Sequence, residues 1–223
     1  TTTMTKICTY LKRPVRLTLL FGAVCGIIYP LLITGLGQFL FPFQANGSQI
    51  KQHGEPIGSA LIGQEFSSAA FLHGRPSAIH YNTYPREEVA NGQRLVITSG
   101  SQNLAPSNPK LKARVQQELA LFLKENPTVS VGDIPADLVT TSGSGLDPEI
   151  SPESAKLQIP RIASETGISP ARLNKIINTH TATKVLGFLG EDRVSVLKVN
   201  LAIKKELNQN PFKRHIAVIA SDD

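Results

Sequence analysis

From Leu17 to Phe41 the chain reads LTLLFGAVCGIIYPLLITGLGQFLF, 25 residues without one charged side chain. As a helix this run extends about 37 Å at 1.5 Å per residue, against a hydrocarbon layer about 30 Å thick. It can therefore cross a bilayer once with some tilt. A cleaved export signal has a shorter apolar region and ends in a small-x-small site. Here the run is longer, and Phe43-Gln44-Ala45 puts Phe where a small residue is required. The expectation is an uncleaved anchor.

Lys6, Lys12, Arg13 and Arg16 precede the run, and only Lys51 follows closely. The positive-inside bias keeps the N-terminus cytoplasmic and places the remainder outside. The chain divides into a cytoplasmic basic tail (1–16), a transmembrane helix (17–41), a linker (42–56), a periplasmic α+β domain (57–207) and a C-terminal tail (208–223). Of 23 Lys+Arg and 17 Asp+Glu, those four bases carry most of the excess, so the main domain offers no basic patch for nucleic acid. Cys8 falls in the tail and Cys25 in the span, which leaves the outer domain to fold without disulfides, as its size allows.

Within the span, Thr18, Gly22 and Gly26 recur every four residues and Pro30 continues the row. Small residues at this spacing let another helix approach closely. Pro30 removes the hydrogen bond to the carbonyl of Gly26 and leaves that oxygen accessible. The row is the candidate packing face for a partner helix.

The outer domain reads as short strands alternating with three or four helices. Phe41 to Ser48 is rich in turn formers and forms a hinge. Ile57 to Phe66 is a strand interrupted by Gly58 and Gly63, and most of the stretch from Phe71 to Gly92 is loop. Leu95-Val-Ile-Thr-Ser-Gly-Ser101 and Leu138-Val-Thr-Thr-Ser-Gly-Ser144 agree at six of seven positions. Each joins a β-branched run to a Ser/Gly turn, which predicts two strand-turn-helix units.

Asn108-Pro109, Ser151-Pro152 and Ser169-Pro170 share one helix-start grammar, a side-chain cap followed by Pro at the first helical position. The first helix carries Leu111, Val115, Leu119 and Phe122 on one face and stops at Asn126-Pro127. The second runs to Gly167 with a kink at Pro160, and the third aligns Leu173, Ile176, Ile177 and His180. Arg193 to Val199 reads as a buried strand, with Asn200 capping a short final helix to Leu207.

Motifs for chemistry are missing. There is no phosphate-binding glycine loop, no HExxH and no cysteine pair, and the histidines at 53, 73, 80, 180 and 215 lack metal-ligand spacing. A serine hydrolase at Ser99, Ser101, Ser142 or Ser144 would need a nucleophile elbow, and Ser142 occupies the place of its first glycine. Turn chemistry accounts for these serines; presentation of their hydroxyls, with Gly100 and Gly143, to a partner or an ion is the alternative. Arg161 to Ile177 has the outline of a helix-turn-helix, with Arg172, Asn174, Lys175 and Asn178 as would-be DNA contacts, but a DNA reader needs nucleic acid on its own side of the membrane.

Several ordered runs together carry a family likeness: Arg13-Pro14; Gly26-Ile-Ile-Tyr-Pro30 with Thr34; Gln44-Ala-Asn-Gly-Ser48; Gly58 to Gln64; Gly74-Arg-Pro-Ser-Ala78; Ser99 to Pro109; Ser142 to Ser151; and Leu186-Gly-Phe-Leu-Gly190. Across residues 13–207 the chain resembles the C subunit of Kdp-type potassium-transporting ATPases. The resemblance implies a non-catalytic subunit of an inner-membrane potassium pump, needed for assembly and acting as a catalytic chaperone that raises the ATP affinity of the hydrolysing subunit. Its implied partners are a channel-like potassium-translocating subunit, a P-type ATP-hydrolysing subunit and membrane lipid. The expectation is that it binds no cofactor directly, ATP and potassium being handled by those partners, and that it binds no nucleic acid. The sequence readings that compete with it are a membrane-anchored periplasmic hydrolase and a tethered DNA binder.

Overall fold

The structure is a computed structural model that describes residues 2–52, 54–83 and 96–209, with side chains from residue 10 onward. It is mixed helix and sheet, and it divides into two compact units, Thr1–Ile57 and Gly58–Asp223.

The first unit is dominated by one long helical rod. Helix α1 (Thr2–Ala23) runs into a π-helical turn (Val24–Ile28) and continues as α2 (Tyr29–Leu40). The stretch long and apolar enough to cross a membrane is Tyr10–Leu40, so the helix begins well before Leu17 and includes Lys12, Arg13 and Arg16. Their long aliphatic stems suit a helix end at a membrane surface, where the charges reach water. At Phe41 the backbone leaves the helical region (φ −136°, ψ 56°) and Pro42 starts a one-turn helix, α3 (Pro42–Ala45). The expected hinge is thus partly structured: Asn46 Nδ2 donates to Gln38 Oε1 at 3.0 Å and to Pro42 O at 2.6 Å. Strands β1 (Gln49–Gln52) and β2 (Glu55–Ser59) then pair. The strand expected from Ile57 begins earlier and ends at Ser59, because residues 60–62 turn back in a Ser59–Ile62 bridge.

In the second unit all three expected caps form. Asn108 Oδ1 accepts from Lys110 N at the start of α4 (Pro109–Glu125). Ser151 Oγ accepts from Ser154 N at α5 (Pro152–Leu157), and Ser169 Oγ accepts from Arg172 N at α7 (Pro170–Thr179). The helix expected from Ser151 to Gly167 is two helices. Because Pro160 cannot sit mid-helix without losing a backbone bond, the chain restarts at α6 (Ile159–Thr166) and ends on Gly167 in the left-handed conformation, φ 63°.

Two readings of strand fail. Residues 96–100 and 139–144 are irregular, with Leu138 in a single 3-10 turn; Leu95 lies outside the described residues. Likewise β5 (Arg193–Ser195) is only three residues long, and α8 (Val196–Gln209) begins where the strand was expected to continue. Val196, Val199 and Ile203 are buried at helical spacing, and tertiary burial overrides the β preference of valine. Asn200 is accordingly inside a helix rather than capping one.

A small antiparallel sheet has β5 at its centre, between β3 (Glu149–Ile150) and β4 (Thr181–Ala182). Val194 is fully buried at the crossing, and Ile150, Ile162, Leu173, Ile177, Val199, Ile203 and Leu207 pack around it with Phe71 and Leu72.

Candidate functional site

In the spanning rod, the row Thr18, Gly22, Gly26 and Pro30 crosses the π-helical turn. Tyr29 N donates to Val24 O, five residues back, and Pro30, directly after the π turn, has no N–H to give to the preceding turn. A spacing of four overshoots a 3.6-residue turn by about 40°, and the wider π turn takes up part of that overshoot. A Cβ placed on Gly22 or Gly26 would meet nothing within 4 Å. Gly35 and Gly37, which the sequence reading passed over, are equally open.

In the second unit the two Ser-Gly-Ser segments meet each other. Gly100 N donates to Ser144 O at 2.7 Å, and Ser99 Oγ donates to the same oxygen at 3.1 Å. The internal echo is therefore two turns in contact rather than two strand-turn-helix units. The loop from Gly74 to Asn82 ties them down. Ser77 Oγ donates to Gly145 O at 2.7 Å, while Asn82 Oδ1 accepts from Thr98 N and its Nδ2 donates to Thr98 O. Arg75 donates to Asp147 Oδ2 at 3.2 Å and to Thr141 O at 3.3 Å. Two glycines allow this closeness. A Cβ on Gly145, which has φ +68°, would stand 2.7 Å from Ile79 Cγ1, and one on Gly63 would stand 2.5 Å from Asp147 O.

The serine hydroxyls are engaged inside this knot. Ser142 Oγ accepts from Gly145 N, Ser144 Oγ accepts from Leu146 N, and Ser101 Oγ donates to Asn103 Oδ1. None of these bonds involves a histidine, so no nucleophile-base pair is assembled at them. Among the described residues no group of three or more His, Cys, Asp or Glu side chains is placed to hold a metal ion. The helix-turn-helix outline is present as α6, Gly167 and α7, but two of its arginines are engaged within the fold. Arg172 is paired with Glu206 of α8, and Arg161 is buried.

Beside the knot lies a cleft of about 330 Å³ between α4 and the Gln64–Tyr81 segment. His73 lies on its wall with Nδ1 3.2 Å from Glu125 Oε2 and Nε2 3.0 Å from Ser68 O. The hydrogen bond from His73 holds the Glu125 carboxyl below the usual glutamate value. Tyr81 donates to Arg75 O at 2.6 Å, and burial, reinforced by the Asp147 charge, pushes its phenol up to about 12. Both shifts keep these groups in the protonation states that hold the loop: an ionised Glu125 and a neutral Tyr81 donor. The cleft is a structural seam, polar on one wall and apolar at Phe66, Leu121 and Phe122.

The sequence model of the family described as K+-transporting ATPase, c chain, matches residues 11–205. The chain belongs to that family. It is similar over 197 residues, at 52% identity, to the Potassium-transporting ATPase KdpC subunit of Clostridium kluyveri, an alignment covering 88% of this chain and 94% of that protein. It is 49% identical over 202 residues to the subunit of the same name in Clostridioides difficile, covering 88% and 97%, and 46% identical over 193 residues to that of Bacillus cytotoxicus, covering 86% and 94%. As a c chain it is an accessory subunit of a potassium pump, and neither the hydrolase nor the DNA-binding reading is supported. A single apolar helix among the described residues fits a single-pass membrane protein.

Proposed function

We propose that this c chain is the assembly scaffold of its pump, seated by the Thr18-Gly22-Gly26-Pro30 face against a helix of a channel-like potassium-translocating subunit. The single span lies in the cell inner membrane with the N-terminus cytoplasmic and the main domain on the outer side, capping the entrance of that subunit. What supports this reading is the open glycine face of the helix, where a Cβ on Gly22 or Gly26 would meet nothing within 4 Å, next to four basic residues at one end. ATP and potassium are handled by the partner subunits. Any rise in ATP affinity of the P-type subunit then travels through the span and the channel-like subunit, because the outer domain and the nucleotide lie on opposite sides of the membrane.

The knot formed by Ser99-Gly100-Ser101 and Ser142-Gly143-Ser144 faces the ion entrance in this scheme. Its polar turn backbone and engaged hydroxyls offer a preformed surface rather than a flexible one. Purification of the tagged chain from membranes expressing its neighbours tests the scaffold: both larger subunits should travel with it, and recovery of the chain alone refutes it. Protease added to intact spheroplasts should remove the outer domain; digestion only after permeabilisation reverses the orientation. Replacing the four serines together by Ala should shift the potassium dependence of pump activity, and an unchanged dependence in an intact complex confines them to turn chemistry.

A further inference from the structure

Between β4 and β5 the chain forms a tight projecting tip, Val185-Leu-Gly-Phe-Leu189, whose side chains have no place in the core. Val185, Leu186, Phe188 and Leu189 are 56%, 79%, 71% and 51% exposed. The tip is built, not frayed. Val185 and Leu189 exchange both backbone bonds at 2.9 Å, Gly187 N donates to Lys184 O and Phe188 N to Val185 O. At its base Lys184 N donates to Asp192 Oδ1 and Arg193 Nε to Glu149 Oε1, which fixes it to the central strand of the sheet. Leu186 holds φ +56°, a conformation that favours glycine or asparagine. An exposed leucine there adds no burial to the fold.

We propose that this tip is a second, shallow membrane contact, inserting into the acyl boundary of the bilayer that the N-terminal helix spans. Three observations favour lipid over a protein partner. Four of the five N–H groups from Val185 to Leu189, all but that of Leu186, are bonded within Lys184–Leu189, which lowers the cost of entering the acyl boundary. The tip's four large side chains are more than half exposed and none from Val185 to Leu189 can hydrogen-bond. Its collar, Lys184 and Arg193 against Glu191 and Asp192, mixes both signs and suits a zwitterionic headgroup layer, stopping insertion at about the 5–10 Å depth of interfacial elements. Four side chains anchor a free protein poorly. A chain already tethered by a span meets the same bilayer at high effective concentration. The inference does not depend on which side of the membrane the domain occupies, since both leaflets present lipid, so it can fail while the scaffold reading stands.

The chain contains no Trp, so Phe188→Trp is a single reporter. In full-length chain reconstituted into phosphatidylcholine nanodiscs, its emission should shift to the blue. Lipids brominated on the acyl chain should quench it by more than half, whereas Val131→Trp, an exposed position on another turn, should keep its intensity. Leu189→Trp gives the same readout if the first variant disturbs the tip. Water-like, unquenched emission from both tip variants overturns the proposal, and so does protection that develops only when the other subunits are present, which would assign the tip to a protein partner.

Discussion

The side-chain amide of Asn200 closes two hydrogen bonds on the backbone of Leu72, accepting from its N–H and donating to its C=O, both at 2.8 Å. Gln158 does the same for His73, accepting from its N at 2.9 Å and donating to its O at 3.1 Å. Arg161 completes the set by donating to Phe71 O, Gln158 Oε1 and Asn126 Oδ1. The segment from Ala69 to His73 thus runs through the core with side chains from α6, α8 and the residue between α5 and α6 in place of a neighbouring strand. Buried backbone groups must be paired, and here the side-chain partners come from positions 85 or more residues away in sequence. Burial lowers the Arg161 pKa, with the Glu125 charge opposing, and the guanidinium stays charged because its donors are matched to acceptors.

Asn200→Leu keeps the volume but leaves two buried backbone groups unpaired, at about 1–3 kcal/mol each. The expected loss is about 3 kcal/mol in denaturant unfolding followed by circular dichroism. Asn178→Ala, on the exposed face of α7, should stay within about 0.5 kcal/mol. Equal effects of the two would remove Asn200 from its role.

Gly145 and Gly143 look alike in sequence and differ in the fold. Gly145→Ala meets Ile79 and Gly100 O at under 3 Å with φ +68°, and should cost about 2 kcal/mol from backbone strain before any rearrangement. Gly143→Ala meets nothing within 4 Å and should be close to neutral. The melting temperatures of the two variants separate these cases.

The Glu125 pKa is depressed in the folded chain. Its contribution to stability is therefore complete above the ordinary glutamate value of 4.5 and is lost as pH falls through the lower folded value. Wild-type chain should lose denaturation midpoint below pH 4.5 more steeply than Glu125→Gln, the two curves converging toward the acid end. Parallel curves would show that the His73 contact carries no linkage.

Gly22→Leu with Gly26→Leu fills the open face of the apolar helix without touching the core of the second unit. Recovery of partner subunits with the tagged chain should fall several-fold, while the amount of chain in the membrane stays the same. Undiminished recovery would move the packing face elsewhere on the rod.

The long apolar helix, the three capped helix starts and the left-handed stop at Gly167 were legible in sequence because each rests on nearby residues: an uncharged run, a Ser or Asn before Pro, a Gly after the last apolar residue. The same locality explains the failures. Val194 to Val199 has β-branched residues that suit a strand, and only the burial of Val196, Val199 and Ile203 against the core turns most of it into a helix. Asn200 satisfies the rule for a cap, and its actual duty at Leu72 follows from a contact across 128 residues. The two Ser-Gly-Ser turns could be matched as text, but their meeting depends on Ser77, Asn82 and Gly145. What the residues determine alone is where the long apolar helix lies and where helices begin, since those are local balances of hydration and backbone bonding. Which buried polar group meets which is a matter of packing, and only the assembled tertiary structure decides it.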